Sequence, residues 1–109
     1  MGGINRPLKP DRKHIAKHLP NTPQMQKRFE QEGFVHVFND EATLERVTRS
    51  ILERGEFTGK IRGHDRYGLY FANPIGYRLN QMGEKIPLYD AEMKIKGDLY
   101  HVIPRTKPS

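Results

Sequence analysis

The sequence predicts an α+β fold, with helices in the N-terminal half packed on one face of an antiparallel sheet built by the C-terminal half. Three observations carry this. Helical periodicity is confined to the residues before Gly55. The segments after Gly55 are short, β-rich and bounded by Gly, Pro or Asn. The last two β-rich runs are joined by Gly97-Asp98 alone, a hairpin connection that makes them antiparallel neighbours. The chain has 109 residues, enough for one domain with one modest core.

The elements follow in order. Residues 1–10 contain Arg6, Lys9, Pro7 and Pro10 and read as a disordered basic lead; residues 11–109 read as a single domain, helical over 12–54 and sheet over 56–104. A short helical turn is expected through Arg12–His18. Pro23–Glu32 is a helix capped by Asn21 or Thr22, with Pro in its first turn and Gly33 closing it. Phe34–Phe38 is rich in β-formers. In Glu41–Arg54, Asp40 supplies a cap, Leu44, Val47, Ile51 and Leu52 form the apolar stripe, and Gly55 ends the helix. Strands are expected at Phe57–Ile61, Tyr67–Phe71, Ile75–Leu79, Lys85–Lys96 and Leu99–Ile103. Within the fourth, Met93 and Ile95 alternate with Glu92, Lys94 and Lys96, as in a half-buried strand.

Charge is distributed unevenly. Lys and Arg total 19 and Asp and Glu 13, a net of +6. The whole excess lies in residues 1–28, where Arg6, Lys9, Arg12, Lys13, Lys17, Lys27 and Arg28 face the single acid Asp11. A basic arm of this kind favours an anionic partner. With no cysteine, disulfides, a thiol nucleophile and thiolate-bound zinc are excluded. His14 and His18 stand one helical turn apart, but two ligands do not make a metal site, so no metal is expected. A P-loop, a nucleophile elbow and a dinucleotide fingerprint are all missing from the sequence, so no cofactor is expected. The sequence shows no bilayer-spanning run and no signal peptide, and reads as cytoplasmic, monomeric and without a membrane partner.

The chemistry that remains belongs to His, Arg, Lys, Tyr and hydroxyl groups, the set a metal-independent ribonuclease uses. One group takes a proton from the 2′-hydroxyl, another protonates the leaving 5′-oxygen, and cations hold the phosphoryl oxygens. His14 sits among Arg12, Lys13 and Lys17. On an extended strand His101 and Arg105 share a face, as a proton carrier and a phosphate clamp, provided Pro104 does not end the strand first. The catalytic candidates are therefore His14, His101, Lys13 and Arg105. Arg66, Tyr77 and Thr106 are candidates for substrate binding. His36, among Phe34, Val35, Val37 and Phe38, reads as structural or exposed. The competing reading is a non-catalytic module that binds nucleic acid or protein through the basic arm.

Four short motifs then stand in a familiar order: Lys13-His14-Ile15, Pro74-Ile75-Gly76-Tyr77, Gly83-Glu84-Lys85-Ile86-Pro87 and His101-Val102-Ile103-Pro104. In order and spacing the chain resembles the type-50 family of bacterial polymorphic toxins, with relatives at the C-termini of phage head proteins. The likeness spans about residues 13–108. It departs at Lys96, where many members have Ser, and in a longer basic tail after Pro104. The resemblance implies a barnase-like fold with N-terminal helices on a four- to five-stranded antiparallel sheet. It also implies an endoribonuclease toxin that cleaves RNA through a 2′,3′-cyclic phosphate. Its two motif histidines fall on His14 and His101, and its motif lysine on Lys13. RNA, with tRNA as one candidate, and an acidic immunity protein are the partners expected of such a toxin.

Overall fold

The computed structural model describes residues 3–106; Met1, Gly2 and the Lys107–Ser109 part of the basic tail lie outside the described residues. The elements are β1 (Lys9–Pro10), α1 (Arg12–Ala16), α2 (Pro23–Glu32), β2 (Phe34–Phe38), α3 (Glu41–Arg54), β3 (Glu56–Ile61), β4 (His64–Tyr70), β5 (Gly76–Asn80), β6 (Lys85–Leu88), β7 (Asp90–Lys96) and β8 (Leu99–Arg105). They form two sheets, one of five strands in the order β1-β8-β7-β4-β3 and one of three in the order β2-β5-β6.

Local signals place the two longer helices. The Thr22 hydroxyl accepts the Met25 N–H at 3.0 Å, Pro23 occupies the first turn, and Gly33 closes α2 at φ +82°, a conformation glycine adopts without a Cβ penalty. The Asp40 carboxylate accepts the Thr43 N–H at 2.7 Å and caps α3. Leu44, Val47 and Ile51 of α3 then bury against Ala91, Met93, Ile95 and Val102 of the larger sheet. A smaller core joins Met25 of α2 to Val35 and Val37 of β2.

This architecture corrects the expected fold. Helices packed on a single four- to five-stranded antiparallel sheet, the barnase-like arrangement, are not what forms. The described residues are sheet-rich, 41% strand against 28% helix, with eight strands in two sheets and three short helices. The physical reason lies in two junctions. The run Lys85–Lys96 reads as one strand but breaks at Tyr89. Leu88 accepts from the Ile75 N–H at 2.8 Å and Tyr89 from the Phe71 N–H at 2.8 Å, so β6 ends one sheet and β7 enters the other. Phe34–Phe38 then finds its partner in β5, from Phe34↔Asn80 to Phe38↔Gly76, and the second sheet is complete without the first.

The basic lead also differs from expectation. Ile4 and Leu8 pack on the main core, the Ile4 N–H donates to Leu52 O at 2.7 Å, and Lys9–Pro10 pairs with β8 in parallel. Arg6 donates to Asp65 Oδ2 at 3.3 Å and to Gly97 O at 3.0 Å, so this cation is anchored on the domain. The apolar residues Ile4 and Leu8, packed on the main core, tie residues 3–10 down.

Candidate active site

Strand alternation divides the larger sheet into two unlike faces. Ala91, Met93 and Ile95 of β7, Tyr67 and Leu69 of β4, and Tyr100 and Val102 of β8 turn to the core. Their neighbours turn the other way by the two-residue period: Glu92 and Lys94, His64 and Arg66, and His101, Ile103 and Arg105. The register puts Lys94 opposite His101 and Glu92 opposite Ile103, with Arg66 opposite Lys94 on the far side. Arg66, Lys94 and Arg105 thus share one sheet face with His64, His101 and the carboxylate of Glu92, and Asp90 stands opposite Arg105 at the end of the same face.

Glu92 is 1% exposed. Its Oε1 accepts from Arg105 Nη1 at 3.0 Å and from Arg66 Nη1 at 3.3 Å, so the carboxylate orients both guanidinium groups. Arg105 reaches this position because β8 runs through Pro104. β1 flanks β8 only at Leu99 and Tyr100, which leaves the outer edge of β8 free of a strand partner at Pro104. The Pro104 carbonyl turns outward to the His36 ring, so the missing N–H of Pro104 takes no bond from the β7 ladder.

The helix α1 brings a second histidine to this face. The Asp11 N–H donates to Tyr100 O at 2.8 Å, tying the start of α1 to β8. One turn later His14 stacks on His101, with ring centroids 5.0 Å apart and planes 30° from parallel. The His64 ring meets His101 edge-on at 6.3 Å. Burial, reinforced by His14, Lys94 and Lys17, pushes the His101 pKa down to about 4. Burial also lowers His14, with Lys17 adding to the effect and Asp11 opposing it. Both rings are therefore neutral at neutral pH, the state in which two imidazoles stack without repulsion.

Where the two sheets meet, a pocket of about 260 Å³ opens beside His101. Its charged lining is Lys17, Arg28, Lys94 and Arg105, and His18, His36 and Thr106 complete the polar wall. Burial lowers the pKa of Lys17 and Lys94. His36 meets Arg78 Nη1 at 3.1 Å through Nε2; the guanidinium can only donate, so Nε2 accepts. His18 donates from Nδ1 to His36 O at 2.9 Å, and burial pushes its pKa down to about 3. The pocket is thus a desolvated cationic site walled by neutral histidines, an arrangement that suits a phosphate.

The sequence-derived candidates separate cleanly on this geometry. His14 and His101 come together, Arg105 and Thr106 line the pocket with His101, and Arg66 lies on the same sheet face. Lys13 lines a neighbouring open groove of about 290 Å³, and His14 lines that groove with it, beside Lys17, Lys27 and Arg28. Tyr77 is in the smaller sheet, packed on the Met25–Val35–Val37 core with Lys85 Nζ 4.9 Å from its ring centroid. Sequence reasoning missed Lys17, Arg28, Lys94 and Glu92 as site residues and read His36 as structural or exposed. Two of these had a signal. The alternation that pairs His101 with Arg105 carries straight across the Gly97-Asp98 turn to Lys94 and Glu92.

Among the described residues no group of three or more His, Asp or Glu is placed to hold a metal ion, and no helix is long and apolar enough to cross a membrane. A larger cavity of about 560 Å³ lies between α1 and α3, lined by Ile15, Leu19, Leu44, Leu52 and Tyr100 among others, away from the histidine pair. Of the comparisons with known proteins, the family described as "Domain of unknown function (DUF6972)" matches residues 6–109. No curated protein and no solved structure matches the chain.

Proposed function

We propose that this chain, which belongs to the DUF6972 family, is an endoribonuclease domain of toxin type that cleaves RNA through a 2′,3′-cyclic phosphate. The observation that carries the reading is the stacked pair His14 and His101, 5.0 Å apart, with His101 in the pocket walled by Lys17, Arg28, Lys94 and Arg105 and His14 in the groove that adjoins it through Lys17 and Arg28. At that separation a phosphate does not fit between the rings. It sits across their edges, within reach of both. His101, the more buried and neutral ring, takes the proton of the 2′-hydroxyl as its oxygen attacks phosphorus. The bond to the 5′-oxygen breaks, and His14, protonated once the anion is bound, gives that oxygen its proton. Arg105, held by Glu92, and Lys94 neutralise the non-bridging oxygens. Proton transfer and charge are both carried by side chains, so the step as written needs no metal.

The test is cleavage of end-labelled RNA and tRNA by the purified chain in the presence of a chelator, with product ends identified as cyclic phosphate. RNA left intact by folded protein would sink the reading. A second reading, non-catalytic binding of nucleic acid, draws on the open groove of Lys13, Lys17, Lys27 and Arg28. It predicts steeply salt-dependent binding that His14→Ala and His101→Ala leave unchanged.

A further inference from the structure

Two cationic depressions stand side by side on this molecule and share residues. The pocket where the sheets meet holds His101, Lys94 and Arg105. The open groove between α1 and α2 holds Lys13, His14 and Lys27. Lys17 and Arg28 line both. His101 of the pocket and His14 of the groove are the two rings stacked at 5.0 Å, so the pair spans the junction.

The groove is equipped to take an anion of its own. α2 lines it with Gln24, Lys27, Arg28 and Gln31, the i, i+3, i+4, i+7 spacing that sets four side chains on one helical face. No acid lines the groove; Glu30 and Glu32 of the same helix stand outside its wall. His14 Nε2 meets Asp11 Oδ2 at 3.7 Å, but Lys13, Lys17, Lys27 and Arg28 have no salt bridge among the described residues. Cations gathered without a counter-charge repel one another, and an anion among them relieves the repulsion.

The histidines give the two depressions a direction. In the proposed cleavage His101 takes the proton of the 2′-hydroxyl, which belongs to the nucleoside on the 5′ side of the broken bond. His14 protonates the leaving 5′-oxygen, which belongs to the nucleoside on the 3′ side. Because His101 lines the pocket and His14 the groove, the strand passes from one into the other at the scissile phosphate. The next phosphate, on the 3′-oxygen of the leaving nucleoside, then comes to Lys13 and Lys27.

We propose that the groove between α1 and α2 is a second phosphate subsite, which binds the phosphate one nucleotide to the 3′ side of the cleaved bond in an RNA strand. The inference rests on the RNA-cleavage reading of the adjoining pocket and deepens it, adding a strand direction and a second recognised phosphate.

The experiment uses the intact chain and short DNA oligonucleotides with a single ribonucleotide, so that one bond alone can be cleaved and the register is fixed. The shortest substrate ends in one deoxynucleoside after the ribonucleotide. A second adds a 3′-phosphate to that deoxynucleoside, and a third instead adds a phosphate at the 5′ end of the ribonucleotide. In the presence of a chelator, kcat/KM should rise about tenfold with the 3′-phosphate and less than about twofold with the 5′-phosphate, the worth of two exposed charge contacts against none. The 3′-phosphate should also steepen the salt dependence by about 0.7 in the log–log slope, as one single-strand phosphate does. Lys27 is exposed on α2, and alanine suits a helix there. In Lys27→Ala the gain from the 3′-phosphate should fall from about tenfold to about threefold, and in the double variant with Lys13→Ala it should approach one.

An equal gain from either added phosphate would mean attraction to the basic surface as a whole and would overturn the proposal. A 3′-phosphate gain that the double variant retains in full would do the same. Cleavage of these substrates with no gain from the 3′-phosphate would remove this inference and spare the catalytic reading. Oligonucleotides and ordinary RNA all left intact by folded protein would remove both.

Discussion

Lowering the pH from 7 to 5 should destabilise this domain steeply, and His18 should be a leading contributor. The ordinary histidine pKa is about 6.5, whereas burial holds native His18 near 3 and native His101 near 4. Below pH 6.5 the unfolded chain takes up a proton at each position that the native protein refuses. Stability from a depressed histidine is therefore complete above the unfolded pKa and is lost as pH falls from 6.5 towards the folded value. Over two pH units at 1.36 kcal/mol per unit, less the small part above 6.5, each group loses about 2 kcal/mol by pH 5. His101 is less enclosed than His18 and its share is an upper bound. The pair together approaches about 4 kcal/mol, a large part of the roughly 5–15 kcal/mol typical of a domain. Ordinary carboxylates titrate below this window, which isolates the histidines. Urea unfolding at pH 7, 6 and 5 measures the loss, and His18→Asn, which has no proton to gain, should lose about 2 kcal/mol less than the wild type between pH 7 and 5. A variant with the wild-type pH dependence would refute the assignment of a neutral buried His18.

Other expected outcomes concern the site and the frame that holds it. His14→Ala and His101→Ala should each reduce RNA cleavage about 100- to 10,000-fold while circular dichroism stays native. Glu92→Gln removes the charge that orients Arg66 and Arg105 and should lower stability by about 3–5 kcal/mol in urea titration, with weaker phosphate binding. Lys13→Ala should leave affinity for a mononucleotide unchanged and Lys17→Ala should reduce it, because Lys17 and not Lys13 lines the pocket. Gly76→Ala places a Cβ against the Val37 carbonyl oxygen, forces β2 and β5 apart, and should cost about 3 kcal/mol or more by thermal unfolding.

What the sequence discloses here is what neighbours decide. The bounds of α2, β2 and α3 follow from Thr22, Gly33, Asp40 and Gly55, residues whose effects act within one turn of themselves. Strand partnership is a different matter. Whether Phe34–Phe38 joins β5 or the larger sheet depends on contacts more than thirty residues away, and nothing in its own five residues expresses that choice. The break at Tyr89 is equally silent, because Lys85–Lys96 is β-prone on both sides of it. The site shows the same division. His101 and Arg105 share a face by strand period alone, so they were legible. Lys17 was not, because which side of α1 meets β8 is set by how Asp11 docks on Tyr100.

The charge pattern gains its meaning from this packing. By sequence, residues 29–109 are neutral, with their excess of cations nil. In space the cations gather, because Arg66, Lys94 and Arg105 stand on one sheet face around Glu92, with Asp90 opposite Arg105 at its end. Against that face α1 and α2 set Lys17 and Arg28, cations of the basic arm. Two separate parts of the sequence therefore raise the positive potential at the same point. That shared potential joins burial in keeping His14 and His101 neutral in the free protein. In the RNA-cleavage reading proposed above, a phosphate bound by these cations would also restore basicity to the two imidazoles beside it, so binding and readiness for proton transfer would come from the same charge.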